Sequence, residues 1–540
     1  MDMLSPGVAI GVLFCADSSM TEVPVVYVED TGVETERLYN AVEEVKKNLL
    51  TAKAGFTKQK LKNEAEILDA HIMIAGDENL LSETATYIKN EKVCAAYAYQ
   101  RKMTEVAESL LAERNEYMRG RASDIFDVTR QVIANLLGTA QIISGKTEDH
   151  IIYSYELTPS IMGQQDVKQL KGVLTEIGGA SSHTAIMARA LGIPAITGYK
   201  PAGKYKTGDR VVIDAFKKEV YLNPSSEIVA DFRQREKKWL DELCRDTQEG
   251  QGTAVTLDNI KVPVYANVGN ISTAESALLH GAEGVGLLRT EFLYMDSLRE
   301  PSEDEQIALL SGVLRLFPDK PVTVRTLDIG GDKHIPWLPM RRSHNPLTDI
   351  RGVQFYIQEP EFFRTQIRAV LRAGNGFDIK IMIPMVSAPE EIIFVKKTIE
   401  DIHNKLLVSG TPHIWPVEFG IMLETPAAVM NASELADMVD FFSIGTNDLG
   451  RYIMAKKHTG KEIPDYIHSV LLRFIRLAVE SAHKKEIKVS VCGEIAGDPL
   501  AVKTLLAAGV DCLSMNANSI GKVKKMIRDF SVSSSKQIFN

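Results

Sequence analysis

Eight short apolar runs alternate with longer stretches of helical texture over the second half of the chain. They lie at 262–268, 284–288, 322–327, 379–385, 419–423, 441–445, 489–492 and 512–515. Strand-length runs separated by amphipathic segments are the pattern of repeated βα units. Eight of them, with their intervening helices, match a (β/α)8 barrel of ordinary size. An open, doubly wound sheet is the structural alternative.

In a barrel of this kind the side chains that do chemistry gather at the C-terminal ends of the strands. Polar groups follow five of the eight runs. Arg289 and Glu291 come after the second, and Arg325, Asp328 and Lys333 end the third. Glu424 ends the fifth, Asn447 and Asp448 follow the sixth, and Cys492 and Glu494 close the seventh. Two guanidinium groups converging on one rim suit a phosphate or carboxylate, which they bind in a bidentate way. Glu424 and Asp448 supply hard oxygen ligands that, with substrate phosphate and water, complete an octahedral Mg2+ site. Ion pairs with the neighbouring arginines are the alternative use of those carboxylates. Cys492 is read either as a buried structural cysteine or as an accessible proton donor. The rim therefore fits a small phosphorylated acid bound with a divalent metal.

The first half has a different texture. Residues 8–14 and 23–28 read as strands, and from residue 33 the period changes. Leu38, Val42, Val45 and Leu49 mark one helical face, and helical texture returns at 61–75, 95–118 and 125–137. This is a small bundle inserted after the first strands, whose exposed helix faces offer a docking surface for a protein. Strand signals resume at 150–155, 172–175, 195–197, 210–214 and 219–222. Within that α/β unit lies Gly178-Gly179-Ala180-Ser181-Ser182-His183, directly before an apolar helical run. A histidine in the first turn of a helix meets backbone donors and a dipole that favour an anion. By itself the motif is equally compatible with an exposed histidine on a capped helix.

Composition limits what else the chain does. A length of 540 residues implies two to four domains, and a net charge of -9 argues against general nucleic-acid binding. No apolar run reaches membrane-spanning length. Five scattered cysteines, none in a CxxC pair, suit a reducing, cytoplasmic compartment and argue against structural zinc.

Taken together, the motifs resemble Enzyme I of the bacterial phosphoenolpyruvate-dependent sugar phosphotransferase system, over essentially the whole chain. The segment around His183 resembles that family's phosphohistidine signature. Residues 286–293, 325–333, 444–449 and 492–498 resemble its barrel motifs, in the family order. The resemblance implies an α/β multidomain protein. Its swivelling phosphohistidine domain is 1–28 with 138–224, its helical subdomain for docking the phosphocarrier HPr is 29–137, and its linker helix is 225–253. A phosphoenolpyruvate-binding TIM barrel at 254–530 and a tail at 531–540 complete it, with a homodimer formed through the barrel.

By the same resemblance, His183 is the nucleophile that takes the phosphoryl group and passes it to a histidine of HPr or a homologue. Arg289, Arg325, Arg351, Asn447, Asp448 and Lys333 hold the substrate. Glu424 and Asp448 ligate Mg2+, and Cys492 protonates the enolate to release pyruvate.

Four departures from the family pattern stand out. Ala180 replaces an arginine, and Thr348-Asp349 and Gln354 alter the loop after Asn345-Pro346. Gly450-Arg451 replaces Thr-Gln, and the loop at 456–465 is shorter, leaving Arg451 or Lys461 to substitute for a missing arginine. A dikinase is the other enzyme class with such a barrel, but 33–137 has neither the length nor the Gly-rich loop of a nucleotide-binding domain. A degenerate, partner-binding regulator is the non-enzymatic alternative.

Overall fold

The computed structural model describes residues 1–16, 23–58, 62–112, 116–139, 148–158, 161–162, 169–178, 188, 192–200, 205–295, 299–330, 335, 337–338, 350–454 and 469–535. They form two compact units, Met1–Asp241 and Glu242–Asn540.

The first unit is a seven-stranded mixed sheet with a helical insertion. In chain order its elements are β1 (Asp2–Ser5), β2 (Val8–Cys15), α1 (Thr31–Lys58), α2 (Lys62–Ala75), α3 (Glu78–Glu91), α4 (Ala95–Ala112), α5 (Glu116–Leu136), β3 (His150–Ser154), β4 (Leu170–Thr175), β5 (Ala195–Thr197), β6 (Arg210–Asp214), β7 (Glu219–Leu222) and the part of α6 (Ser226–Glu249) up to Asp241. The strand order is β1-β5-β4-β3-β2-β6-β7. β2 is parallel to β3, with Val12 opposite His150, and antiparallel to β6, with Val8 opposite Asp214. The five helices thus leave the sheet after β2 and return to the strand beside it.

Leu38, Val42, Val45 and Leu49 are all buried, as the periodicity of α1 requires. The Glu34 carboxylate accepts a hydrogen bond from Ala95 N (2.7 Å), which caps the start of α4 from a neighbouring helix. Val229 and Phe232 of α6 pack with Val8 and Val212 of the sheet. Arg235, one turn on, reaches Glu219 (2.6 Å) and Asp214 (3.2 Å).

Residues 23–28 differ from the expected strand. Only Tyr27 forms a bridge, to Val93, and Val25, Val26 and Tyr27 are exposed. Pro24 offers no N–H for a ladder, and the facing partner is merely the α3–α4 turn. The helical region expected at 95–118 is two elements, with α4 ending at Ala112 and α5 starting at Glu116. α3 is an additional helix.

The second unit is a closed barrel of eight parallel strands: β8 (Val264–Val268), β9 (Val285–Arg289), β10 (Val322–Arg325), β11 (Ile379–Ile383), β12 (Glu418–Leu423), β13 (Phe441–Ile444), β14 (Lys488–Val491) and β15 (Cys512–Met515). All eight expected strands are present, and closure rules out the open sheet. Alternation explains their apolar runs. Ile379, Ile381 and Ile383 face the large core shared with the surrounding helices. Leu287, Met382, Met422, Phe441 and Cys492 form a separate small cluster that fills the barrel interior.

Candidate active site

The strand ends bring a set of charged and polar groups to one rim. Arg289 and Arg325 are the last residues of β9 and β10, and Glu424 directly follows β12. Asn447 and Asp448 occupy the first turn of the helix Thr446–Met454, entered from β13. Cys492 immediately follows β14.

Buried ion pairs lock part of this set. The Arg325 guanidinium bonds the Glu291 carboxylate and lies 3.9 Å from Asp328. Arg351 donates to both oxygens of Asp328 (3.2 and 2.8 Å) and both oxygens of Asp448 (3.1 and 3.3 Å). Burial alone would lower the affinity of Arg351 for its proton, but Asp328 and Asp448 outweigh it and raise the pKa. Arg325 is raised in the same way, its burial offset by Glu291, Asp328 and Glu424. Asp448 is therefore engaged by arginine, the alternative use foreseen for it, and Arg451 adds a contact at 3.9 Å.

Arg289 differs. It makes no hydrogen bond or ion pair among the described residues, and burial together with the Arg325 charge lowers its pKa. Among the described residues none of its five N–H donors is taken, which suits it to an anion.

Glu424 is almost fully buried and accepts a hydrogen bond from Met385 N (2.9 Å). Burial pushes its pKa up to about 8, aided by the Asp328 and Asp448 carboxylates and opposed by Arg325 and Arg351. Acidic oxygens crowded in this way suit a hard divalent cation, and two carboxylates leave coordination positions for substrate and water. The donors present fit Mg2+, although no group of three or more metal-ligating side chains occurs among the described residues.

Cys492 is held from the side of β13. Its N–H donates to Ile444 O (3.2 Å) and its thiol lies 3.6 Å from the same oxygen. Burial pushes the thiol pKa up, while Ser443, Arg325 and Arg289 pull it down. The group is thus protonated at neutral pH, the form that donates a proton rather than attacking as a thiolate. The next residue has to be glycine, because a Cβ at Gly493 would lie 1.9 Å from Thr446 Oγ1. Glu494 N then donates to Asn447 Oδ1 (3.1 Å), which turns Asn447 towards this segment.

Beneath the arginines lies a support that sequence reading passed over. Gln366 accepts from Leu327 N (3.1 Å) and donates to Thr290 Oγ1 (3.3 Å) and Tyr294 OH (3.1 Å). Tyr356 OH bonds Thr326 Oγ1 (2.8 Å) and Leu327 O. These side chains come from helices outside the barrel, and nothing in their local sequence marks them. Asn267 was also missed, although an amide in the apolar run 262–268 is a visible signal. It donates to Cys492 O (3.0 Å).

His183, Ala180, Lys333, residues 345–349, Lys461 and the loop at 456–465 lie outside the described residues.

Three family models match the chain. The model described as PEP-utilising enzyme, N-terminal, covers residues 3–121, the mobile domain covers 146–218, and the PEP-binding domain covers 245–532. The chain is 38% identical over 512 residues to a phosphoenolpyruvate-protein phosphotransferase of Geobacillus stearothermophilus, spanning 93% of this chain and 88% of that protein. It is 36% identical over 536 residues to the protein of the same name from Bacillus subtilis, spanning 98% and 93%. A solution structure of an Enzyme I protein aligns at 31% identity with a TM-score of 0.40, over 44% of this chain and 98% of that one.

Proposed function

The chain belongs to the phosphoenolpyruvate–protein phosphotransferase family, and we propose that it works through a phosphohistidine at His183. As an enzyme of this family it carries out phosphoenolpyruvate-dependent phosphotransfer, the first step of the sugar phosphotransferase system. In the proposed course, an imidazole nitrogen of His183 attacks the phosphorus of phosphoenolpyruvate. The N–P bond forms, the bridging P–O bond breaks, and its electron pair stays on the enolate of pyruvate. The Cys492 thiol gives its proton to the methylene carbon, the carbonyl forms, and water reprotonates the thiolate. His183 then passes the phosphoryl group to a histidine of HPr or a homologue, docked on the helical subdomain at 29–137.

Catalysis of this kind is mainly alignment and charge stabilisation. Arg289 has unused donors for the phosphate, and Arg325 is fixed by Glu291 at the neighbouring strand end. Asn447, Asp448 and Arg351 border the same rim, and Lys333 belongs to the substrate set by its place after β10. Glu424 and Asp448 would hold Mg2+, which when bound offsets charge on the transferring group. Arg451, which lies 3.9 Å from Asp448, or Lys461 takes the place of the missing arginine. A homodimer through the barrel and a cytoplasmic location belong to the same proposal. All five cysteines are free thiols, in keeping with a reducing compartment.

The observation that carries this reading is the buried Cys492 thiol at the same rim as Arg289, Arg325 and Glu424. Incubation with phosphoenolpyruvate and Mg2+ is expected to give an acid-labile phosphoprotein and one pyruvate per chain, both lost in His183→Ala. Carrier binding with no phosphoprotein under any condition would instead favour the regulator, the reading that the altered loops at 345–354 and 456–465 motivate.

A further inference from the structure

We propose that Asn267 and Ser514 are positioning residues for the Cys492 thiol, an inference that rests on Cys492 being the proton donor. Three neighbouring strands build the arrangement. Ser514 Oγ on β15 donates to Asn267 Oδ1 on β8 (2.6 Å), and Asn267 Nδ2 donates to Cys492 O after β14 (3.0 Å). The carbonyl of Cys492, which can only accept, settles which way the amide points. With the NH2 end facing that carbonyl, Oδ1 is left to accept from the Ser514 hydroxyl.

Ser514 is fully buried, and the sequence leaves room for it at a specific place. A Cβ at Gly286, on β9, would lie 2.6 Å from Ser514 Oγ and 2.7 Å from Ser514 Cβ. Four strands thus contribute to one contact.

The mechanical effect follows from the two ends of one residue. The Cys492 N–H is tied to Ile444 O on β13, and its C=O is tied to Asn267 on β8. Held from both sides, its Cα–Cβ bond has one direction, and the thiol points into the barrel interior among Leu287, Met382 and Met422. Without Asn267 the residue is tied on the β13 side alone, and its carbonyl end is free to shift. Displacement of a reacting group by about 1 Å costs on the order of 100-fold in rate. Asn267 and Ser514 touch no reacting atom in this scheme. They act through Cys492.

The test uses the full chain with phosphoenolpyruvate, Mg2+ and a carrier, measuring pyruvate release in H2O and D2O. Asn267→Ala is expected to lower kcat about 10- to 100-fold, with KM for phosphoenolpyruvate within about threefold. The solvent isotope effect on kcat should rise, because proton delivery becomes rate-limiting. Ser514→Ala and Gly286→Ala should move kcat and the isotope effect the same way, by smaller factors. Should Asn267→Ala fold poorly, those two variants decide. An unchanged isotope effect in the folded variants, or a loss carried by KM, overturns the positioning role. Full turnover in Cys492→Ala overturns the underlying assignment of the acid. Impaired Cys492→Ala beside normal Asn267→Ala overturns only the inference made here.

Discussion

At the scale of single residues, Glu424 ties stability to the chemistry. Its carboxyl is held at about 8 in the folded chain, against 4.5 as the ordinary value. A folded pKa above the unfolded one means that the folded state binds more protons between those values. The contribution is therefore complete below pH 4.5 and is lost as the pH rises towards 8, by a few kcal/mol at most. In denaturant titrations without divalent metal, wild type should lose stability across this window, and Glu424→Gln should lose less. A parallel decline in both proteins would remove Glu424 as the cause. Adding Mg2+ at pH 8 should restore wild type and leave the glutamine variant nearly unchanged. This residue was legible before the fold was known, because a carboxylate after an apolar run stands out. Asp328 was legible as a rim charge, but the two hydrogen bonds it accepts from Arg351 were not. Such a pair joins a strand end to a residue 23 positions later, and no local pattern reports that contact. Gln366 and Tyr356 were invisible for the same reason, since each belongs to a helix whose local pattern reports only burial.

Whole elements were read with uneven success, and the physical cause differs from case to case. The barrel strands are buried on one face by helices and on the other by the barrel interior, so their apolar runs are nearly continuous. α3 is more polar, and only Leu81, Thr84, Ala85 and Ile88 of its residues are buried. Its start is set by Asp77, whose side chain accepts from Asn79 N (3.0 Å) and Leu80 N (3.1 Å). Such a cap contributes about 1 kcal/mol. Asp77→Ala should lower the stability of the first unit by roughly that amount, read from its denaturant midpoint, while Asp77→Asn should cost little. Equal loss in both variants would show that the carboxylate charge matters more than the cap. Residues 23–28 failed as a strand for a reason that no apolar count reveals. A strand needs a partner edge, and the available edge is a turn.

Across the whole molecule, two units with their own hydrophobic cores predict two separate thermal transitions. Phosphoenolpyruvate with Mg2+ at about 100 times its dissociation constant should stabilise the barrel by about 2.7 kcal/mol. Scanning calorimetry should show one transition shifting while the other stays in place, and a single merged peak moving as one would contradict this. The sheet of the first unit has a further consequence, which concerns the order of events during synthesis. β2 emerges early, yet its two sheet neighbours are β3, ending at residue 154, and β6, ending at residue 214. Its partner at Val8 is Asp214, some 200 residues later. At roughly 5–20 residues per second, that partner arrives about 10–40 s after the strand itself. The helices from residue 31 to 136 make mostly local contacts and form meanwhile, since closing short loops costs less than closing long ones. The newborn chain therefore carries an apolar strand with both edges open for most of the time taken to make this unit. Its exposure to wrong partners is set by the ribosome's pace rather than by its own stability.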